Sequence, residues 1–225
     1  MKADIDTKVD VLHQLLSLIW EKERIPEDWC KGLIVKLPKK GDLTNCGNWR
    51  GITLMPTAAK VMGKVIIKRI SRGLDKKLRK EQAGFRSGRS TIEQIFVLRN
   101  IIEQLVEWNA SLYICFIDYE KAFDSVHRET LWRIMSSYGI PPKLVRMVQA
   151  MYKGSKCAAI DGGGKTGWFY IKSGVRQGCV MSGSLFLLVI DWVTRKTLSE
   201  GNTGIRWRFI EKLDDLDFAD DLALL

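Results

Sequence analysis

The chain has 225 residues, of which 46% are hydrophobic, and it carries 36 Lys/Arg against 26 Asp/Glu for a formal charge of +10. That is enough apolar content for one large core or two closely joined lobes. No apolar run reaches the roughly 18–20 residues of a membrane span and no signal-peptide pattern opens the chain, so it reads as soluble and intracellular, without a membrane partner. Its five cysteines, Cys30, Cys46, Cys115, Cys157 and Cys179, are odd in number and scattered without a Cys-x-x-Cys pair, which suggests neither a disulfide framework nor a zinc site and reads them as reduced structural residues.

In chain order, Ile5, Val9, Leu12, Leu16 and Ile19 recur at spacings of four and three, which predicts an amphipathic helix ending before Pro26. His13 within it reads as packed or solvated rather than as a ligand. Residues 32–37 and 49–54 read as strands joined through Lys39-Lys40-Gly41-Asp42, a basic β-hairpin. Val61, Val65, Ile66, Ile70, Leu74 and Leu78 mark a second helix, and Ile92, Ile95, Leu98, Ile102 and Leu105 a third. Between them Gly84-Phe85-Arg86-Ser87-Gly88-Arg89 is a glycine-rich basic turn whose amides, with Arg86 and Arg89, suit a backbone phosphate; a plain helix connector accounts for the same residues.

The charge is concentrated in this first part. Residues 1–100 hold 21 Lys/Arg against 11 Asp/Glu, whereas residues 101–225 hold 15 of each. Between Lys31 and Arg89 there are 16 basic and 3 acidic residues, the footprint of a surface that neutralises nucleic-acid phosphates. Taken alone, the run Lys76-Lys77-Leu78-Arg79-Lys80 reads as a solvated helix face.

Residues 112–117 form a continuous apolar run, predicting a strand buried on both faces and ended by Asp118. Leu131, Ile134 and Met135 suggest a short helix, and Pro141-Pro142 starts another through Leu144, Val145, Val148 and Met151. Residues 157–160 and 168–171 read as a hairpin with a loose turn at Gly162-Gly163-Gly164. Finally Asp220 and Asp221 sit between two short apolar runs, as at the tip of a tight hairpin, with Asp214, Asp215 and Asp217 as solvated acids before it. Helices separated by strand pairs, without regular βαβ alternation, predict an α+β fold.

If the strand ending at Asp118 lies antiparallel beside that hairpin, Asp118, Asp220 and Asp221 converge. Like charges so clustered repel unless cations are present, which points to Mg²⁺; two such ions about 3.5–4 Å apart serve in-line phosphoryl displacement, the chemistry of polymerases and nucleases. The Asp-Asp pair taken alone also fits a plain solvated turn.

With these residues in place, the chain resembles the reverse transcriptase of non-LTR (LINE-type) retrotransposons over most of its length. Asp118-Tyr119-Glu120-Lys121-Ala122-Phe123-Asp124 is similar to the family's first catalytic motif, Phe218-Ala219-Asp220-Asp221 to its Phe/Tyr-Ala-Asp-Asp box, and Arg176-Gln177-Gly178-Cys179 to the segment between them. Upstream, Pro38-Lys39-Lys40-Gly41-Asp42, Asn48-Trp49-Arg50-Gly51-Ile52-Thr53-Leu54 and Gln82-Ala83-Gly84-Phe85-Arg86-Ser87-Gly88-Arg89-Ser90-Thr91 resemble the fingers motifs in order.

The resemblance implies right-hand polymerase fingers over residues 1–110 and a palm over 111–225, with an antiparallel palm sheet packed on helices. It also implies RNA-directed DNA synthesis with two Mg²⁺ ions, Mn²⁺ being a possible substitute, acting on an RNA template, a DNA primer and deoxynucleoside triphosphates. Asp118, Asp220, Asp221 and the Tyr119 carbonyl would hold metal. Lys36 or Lys39, Arg50, Gln177 and Gly178 would meet the nucleotide. Phe123 would lie under its sugar and exclude a 2′-hydroxyl, unless it is simply a core residue. Asp124 reads as a helix cap or ion-pair partner. The implied setting is a cytoplasmic ribonucleoprotein and the nucleus.

Two departures stand out. Ser182-Gly183 replaces the family's Ser-Pro, which predicts looser positioning there. The chain also stops just after the acidic hairpin, so the thumb is expected to be missing, as is the endonuclease domain that commonly precedes this polymerase. An incomplete polymerase that retains only nucleic-acid binding is therefore the alternative reading. A group II intron type enzyme shares the acidic motifs, and a two-metal nuclease shares the carboxylates but not the fingers motifs.

Overall fold

The first strand, β1 (Lys31–Pro38), pairs antiparallel with β2 (Trp49–Leu54) and parallel with β4 (Lys156–Asp161) in the computed structural model, which describes residues 5–198, 204–206 and 212–225 and only the backbone of Ile5. Strand β4 continues to β5 (Gly164–Lys165) and also pairs with β6 (Phe169–Tyr170), so the glycine-turned hairpin forms as its sequence predicts. A sheet ordered β2-β1-β4-β5 thus takes strands from both sides of residue 110, and the two halves share it instead of having separate cores.

Helix α1 (Ile5–Lys22) buries Ile19, with Leu16 and Trp20 partly packed, while Val9 stays exposed; only its last turns join the core. Helix α2 (Thr57–Leu74) begins after Pro56, which cannot continue a helix backwards, and buries Ala59, Met62, Ile66, Ile70 and Leu74 on one stripe. Helix α3 (Thr91–Glu107) is started by a Ser90/Glu93 capping box and buries only Ile101. After β3 (Cys115–Asp118) come α4 (Ala122–Ser125), α5 (Arg128–Ser137) and α6 (Pro142–Tyr152), whose Leu131, Met135, Met147 and Val148 are fully enclosed. Burying each such side chain stabilises the fold by about 1.5–3 kcal/mol.

The centre of this core is α7 (Ser182–Leu198), which buries Leu185, Phe186, Leu187, Leu188 and Ile190. Its apolar residues run almost all round the axis, so it carries no 3.6-residue stripe for a sequence reading to find. Arg176 locks the loop before it. Buried at 5% exposure, its guanidinium donates to the carbonyls of Trp29, Cys30 and Met151 and to Ser155 Oγ, tying the helical turn before β1, the end of α6 and the residue that leads into β4 together.

Short strands β7 (Ile205–Arg206) and β8 (Lys212–Leu213) pair with each other, and β9 (Asp215–Phe218) and β10 (Asp221–Leu224) form a sheet ordered β3-β10-β9. Strand β3 is therefore at an edge, with Tyr113 87% and Phe116 71% exposed, against the expectation of burial on both faces. Nothing else in the described chain covers that face, and an apolar run cannot distinguish a central strand from an edge strand left bare. All five cysteines are unpaired; Cys30 and Cys157 are buried, while Cys46 and Cys115 are exposed. Among the described residues no helix is long and apolar enough to cross a membrane.

Candidate active site

Strand β10 pairs antiparallel with β3 in the register Asp221↔Asp118 and with β9 in the register Asp221↔Phe218. The sequence expectation of convergence follows from this register: Asp118 at the end of one strand faces Asp221 at the start of the next, and Asp220 lies in the turn between β9 and β10. A two-residue hairpin turn needs positive φ, and Ala219 supplies it at φ +59, a conformation usually left to Gly or Asn.

Asp118 and Asp221 are exposed and Asp220 is half-buried. Partial burial raises the Asp221 pKa, and the neighbouring charges of Asp220 and Asp118 raise it further. Among the described residues no Lys or Arg forms an ion pair with any of the three. No closed cage of three or more ligating side chains is preformed among the described residues. The donor set is nevertheless all carboxylate oxygen, accessible and without a neutralising cation from the protein, which fits Mg²⁺ chemically.

Of the three acids expected to be solvated, Asp214 is partly exposed beside Lys212, but the other two are enclosed. Asp215 and Asp217 are 1% and 0% exposed, and both bind Arg79: Nη1 lies 2.7 Å from Asp215 Oδ1, and Nη2 donates to Asp217 Oδ2. Asp191 of α7, also 0% exposed, accepts the Arg79 backbone N–H at 2.8 Å, Arg195 Nε at 2.7 Å and the Tyr138 hydroxyl. Strand alternation places these acids on the inner face of β9, where a single arginine from the run read as a solvated face enters to meet them. Three buried carboxylates face the guanidiniums of Arg79 and Arg195. Burial and the adjacent Asp215 push Asp217 up to about 8.

Segment 79–84 docks the hairpin in other ways. Ala83 N–H donates to Asp217 O at 2.9 Å, and Asp217 N–H to Glu81 O at 3.2 Å. Gly84 is so close to the turn that a Cβ there would come within 2.2 Å of Ala219 N. Arg86, expected at a template phosphate, is turned inward: it donates to Asp75 Oδ1 and to the carbonyls of Asp75, Arg79 and Gln82, its side chain only 7% exposed. The fixed fork of guanidinium donors is thus spent on the protein. Arg89 remains exposed, with Nη1 3.2 Å from Lys80 O.

Phe123 stacks on Phe186 with centroids 4.6 Å apart, and Phe85 meets it edge-on at 6.1 Å. The Phe85 ring also covers Gly183, where a Cβ would stand 2.8 Å from Phe85 Cδ1. Gly183 leaves room for an aromatic ring that a proline side chain there would meet. Asp124 lies in the first turn of α4 but is not its cap, a position held by Lys121, and it forms no ion pair among the described residues. Tyr119 follows Asp118 directly; its hydroxyl pKa is raised by burial and by Asp217.

The nucleotide candidates form a second group against β2. Gln177 O accepts from Thr53 N–H at 2.8 Å. Gly178, at φ +92, has Thr53 O 2.9 Å from where a Cβ would be, so both its conformation and the close approach require glycine. Arg50 is exposed on β2 opposite Leu37. Lys36 lies 3.0 Å from Asp161 Oδ1 and over the Trp49 ring, and Lys39 Nζ is 3.4 Å from Gly47 O. These basic side chains are tethered at most by exposed contacts, which are weak.

A family model described as "Reverse transcriptase (RNA-dependent DNA polymerase)" matches residues 37–225. A transposon TX1 uncharacterized 149 kDa protein of Xenopus laevis is 30% identical over 186 residues, covering 83% of this chain and 14% of that protein. A retrovirus-related Pol polyprotein from the type-1 retrotransposable element R2 of Popillia japonica is 28% identical over 220 residues, covering 97% and 30%. The RNA-directed DNA polymerase from the mobile element jockey of Drosophila funebris is 27% identical over 185 residues, 79% of this chain and 19% of that protein. The chain thus spans less than a third of the length of these relatives. Among solved structures, a Candida tropicalis telomerase truncated from its C-terminal domain superposes with TM-score 0.61 at 15% identity, over 92% of this chain and 47% of that one, a likeness of fold.

Proposed function

Because the chain belongs to the reverse transcriptase (RNA-dependent DNA polymerase) family, we propose that it carries the catalytic centre of a non-LTR retrotransposon polymerase, which extends a DNA primer on an RNA template with deoxynucleoside triphosphates. The observation that carries this reading is the Asp221↔Asp118 register, with Asp220 beside it at a hairpin tip.

Asp118, Asp220 and Asp221 would hold divalent metal, Mg²⁺ or Mn²⁺ in its place, with the Tyr119 carbonyl as a further oxygen. Bound there, the metal supplies activation of the attacking hydroxyl and charge stabilisation at the transferred phosphorus. The protein's own residues do the positioning. Lys39 and Arg50 offer cationic donors to the triphosphate, Arg50 with a planar fork suited to phosphate oxygens. Lys36 joins them once released from Asp161. Gln177 and Gly178 present backbone against the nucleotide beside β2. Arg89 is the free end of the basic turn available to a template phosphate, a role Arg86 gives up to internal bonds. The setting proposed for the whole protein is a ribonucleoprotein that forms in the cytoplasm and acts in the nucleus.

The direct test is primer extension by the purified chain on an RNA template with Mg²⁺. Template-dependent addition of deoxynucleotides supports the reading. Salt-sensitive RNA binding without extension would reduce it to a nucleic-acid-binding domain. Replacing Lys39 or Arg50 by Ala is expected to raise the KM for deoxynucleotides roughly 10-fold, the worth of one charge-assisted hydrogen bond, without changing RNA affinity. A loss confined to RNA affinity would reassign those residues to the template.

Phe123 gives a second test. Its ring is held by Phe186 and Phe85, five residues after Asp118, so it presents a fixed wall. Phe123→Val is expected to increase ribonucleotide incorporation relative to deoxynucleotide by about 10-fold or more, since a steric pocket discriminates by roughly 10–200-fold. An unchanged sugar preference, with lowered thermal stability, would make Phe123 a core residue only.

A further inference from the structure

Gln82 is 0% exposed, and both ends of its amide point at the turn that carries Asp220. Its Oε1 accepts from Ala219 N–H at 2.9 Å and from Gly84 N–H at 2.8 Å, while Nε2 lies 3.4 Å from Ala219 O. A buried side-chain amide therefore holds both backbone polar groups of Ala219, the residue of the hairpin that adopts positive φ. Ala219 at φ +59 lacks glycine's freedom, and such a residue persists only where its surroundings impose the conformation. Here they do so from two sides: Gln82 holds the peptide, and Gly84, with no Cβ, lets the two chains come into contact.

The consequence is directional. Ala219 immediately precedes Asp220, so its φ and ψ decide where the carboxylates of Asp220 and Asp221 point relative to Asp118 across the β3–β10 pair. Gln94 reinforces the same docking at one remove, its Nε2 2.7 Å from Glu81 O. Arg79 holds the base of β9 and Gln82 holds its tip.

We infer that Gln82 is a positioning residue of the polymerase centre, acting through the Ala219 peptide to aim Asp220 and Asp221. The inference rests on the reading of those acids as metal ligands for its effect on catalysis, but not for the clasp itself. Gln82 touches no substrate in this role, and its share of the rate is exerted through the geometry of the turn.

The test uses Gln82→Met, which keeps length and apolar volume while removing donor and acceptor, together with Gln82→Glu, which keeps the accepting oxygen. Three readouts are taken on each: amide hydrogen exchange at Ala219, Mn²⁺ titration followed by electron paramagnetic resonance with Asp220→Asn as the site control, and primer extension. For Gln82→Met the expected result is Ala219 exchange about 10-fold or more faster and Mn²⁺ affinity about 10-fold weaker, as follows from losing one buried hydrogen bond. The kcat should fall by about the same factor or more, with KM for deoxynucleotide within about 2-fold, because the triphosphate donors lie elsewhere. Gln82→Glu should return Ala219 exchange to within a few-fold of the parent chain.

Unchanged Ala219 exchange in a folded Gln82→Met would overturn the clasp. Faster exchange and a lower melting temperature, with Mn²⁺ affinity and kcat per folded molecule unchanged, would reduce Gln82 to a structural role and also overturn the proposal. If the parent chain binds no Mn²⁺ that Asp220→Asn removes, the metal reading fails, and Ala219 exchange alone then decides the clasp. Should Gln82→Met not fold, Gln82→Asn, one carbon shorter, makes the same comparison.

Discussion

Asp220→Asn is expected to abolish primer extension, by on the order of 10³-fold or more, while RNA affinity stays within about 2-fold. The magnitude follows from the several kcal/mol of transition-state charge stabilisation that a metal at this site supplies, at 1.36 kcal/mol per factor of ten. Asn keeps the shape of the side chain and one oxygen, so the hairpin and its Gln82 contacts survive; only the charge that would hold the metal is lost. The RNA-binding expectation follows from the charge distribution, because 16 of the basic residues lie between Lys31 and Arg89 and none of them pairs with Asp220. The measurement is single-turnover extension beside a salt-dependent RNA titration. Equal losses in both would mean that Asp220 shapes the RNA surface, and an active variant would move the chemistry to other carboxylates.

Much of the candidate site was legible because it is written in local patterns. Two acids between apolar runs predict a hairpin tip, and an apolar run ending in Asp118 predicts a strand, so their pairing needed one inference about topology. The basic hairpin of β1 and β2 was legible for the same reason. What failed was whatever depends on the third dimension alone. The apolar run before Asp118 reads the same on an edge as in the middle of a sheet, and here β3 is at an edge with Phe116 bare. Lys76-Lys77-Leu78-Arg79-Lys80 looks uniformly basic, yet Arg79 alone turns inward, and nothing in that run marks it.

The acids it meets gave a faint signal: Asp191 interrupts an otherwise apolar stretch, and Asp215 and Asp217 have the period of two that puts strand residues on one face. Arg86 read as part of a turn suited to phosphate, because sequence shows which donors exist but not which are already used. Gly183, a departure from the family pattern that reads as lost rigidity, leaves room for the ring of Phe85.

Arg79 is the position where removal should be felt most in stability. Arg79→Leu leaves Asp191, Asp215 and Asp217 enclosed without their shared cation, a situation that typically destabilises by about 3–5 kcal/mol. The β9–β10 hairpin, which this cluster ties to α7, is expected to loosen first. The pH dependence has a definite sign. Asp217 is raised to about 8 in the folded chain, against about 3.9 for an unperturbed Asp. The folded state therefore holds a proton that the unfolded chain has released. The stability this contributes is complete below about pH 4 and is lost as pH rises through about 8.

Two consequences can be read by denaturant unfolding between pH 5 and 8.5. The parent chain should lose stability toward the alkaline end. Asp217→Asn, which imitates the protonated acid and can still donate to Asp215, should flatten that slope while costing little near pH 7. If Asp217→Asn were as damaging as Arg79→Leu at neutral pH, Asp217 would be the ionised partner of the arginine and the expected alkaline loss would not come from it. Asp220 and Asp221 lie within a few residues of Asp217 on the same strand pair, so the protonation of Asp217 would also be felt at the hairpin tip.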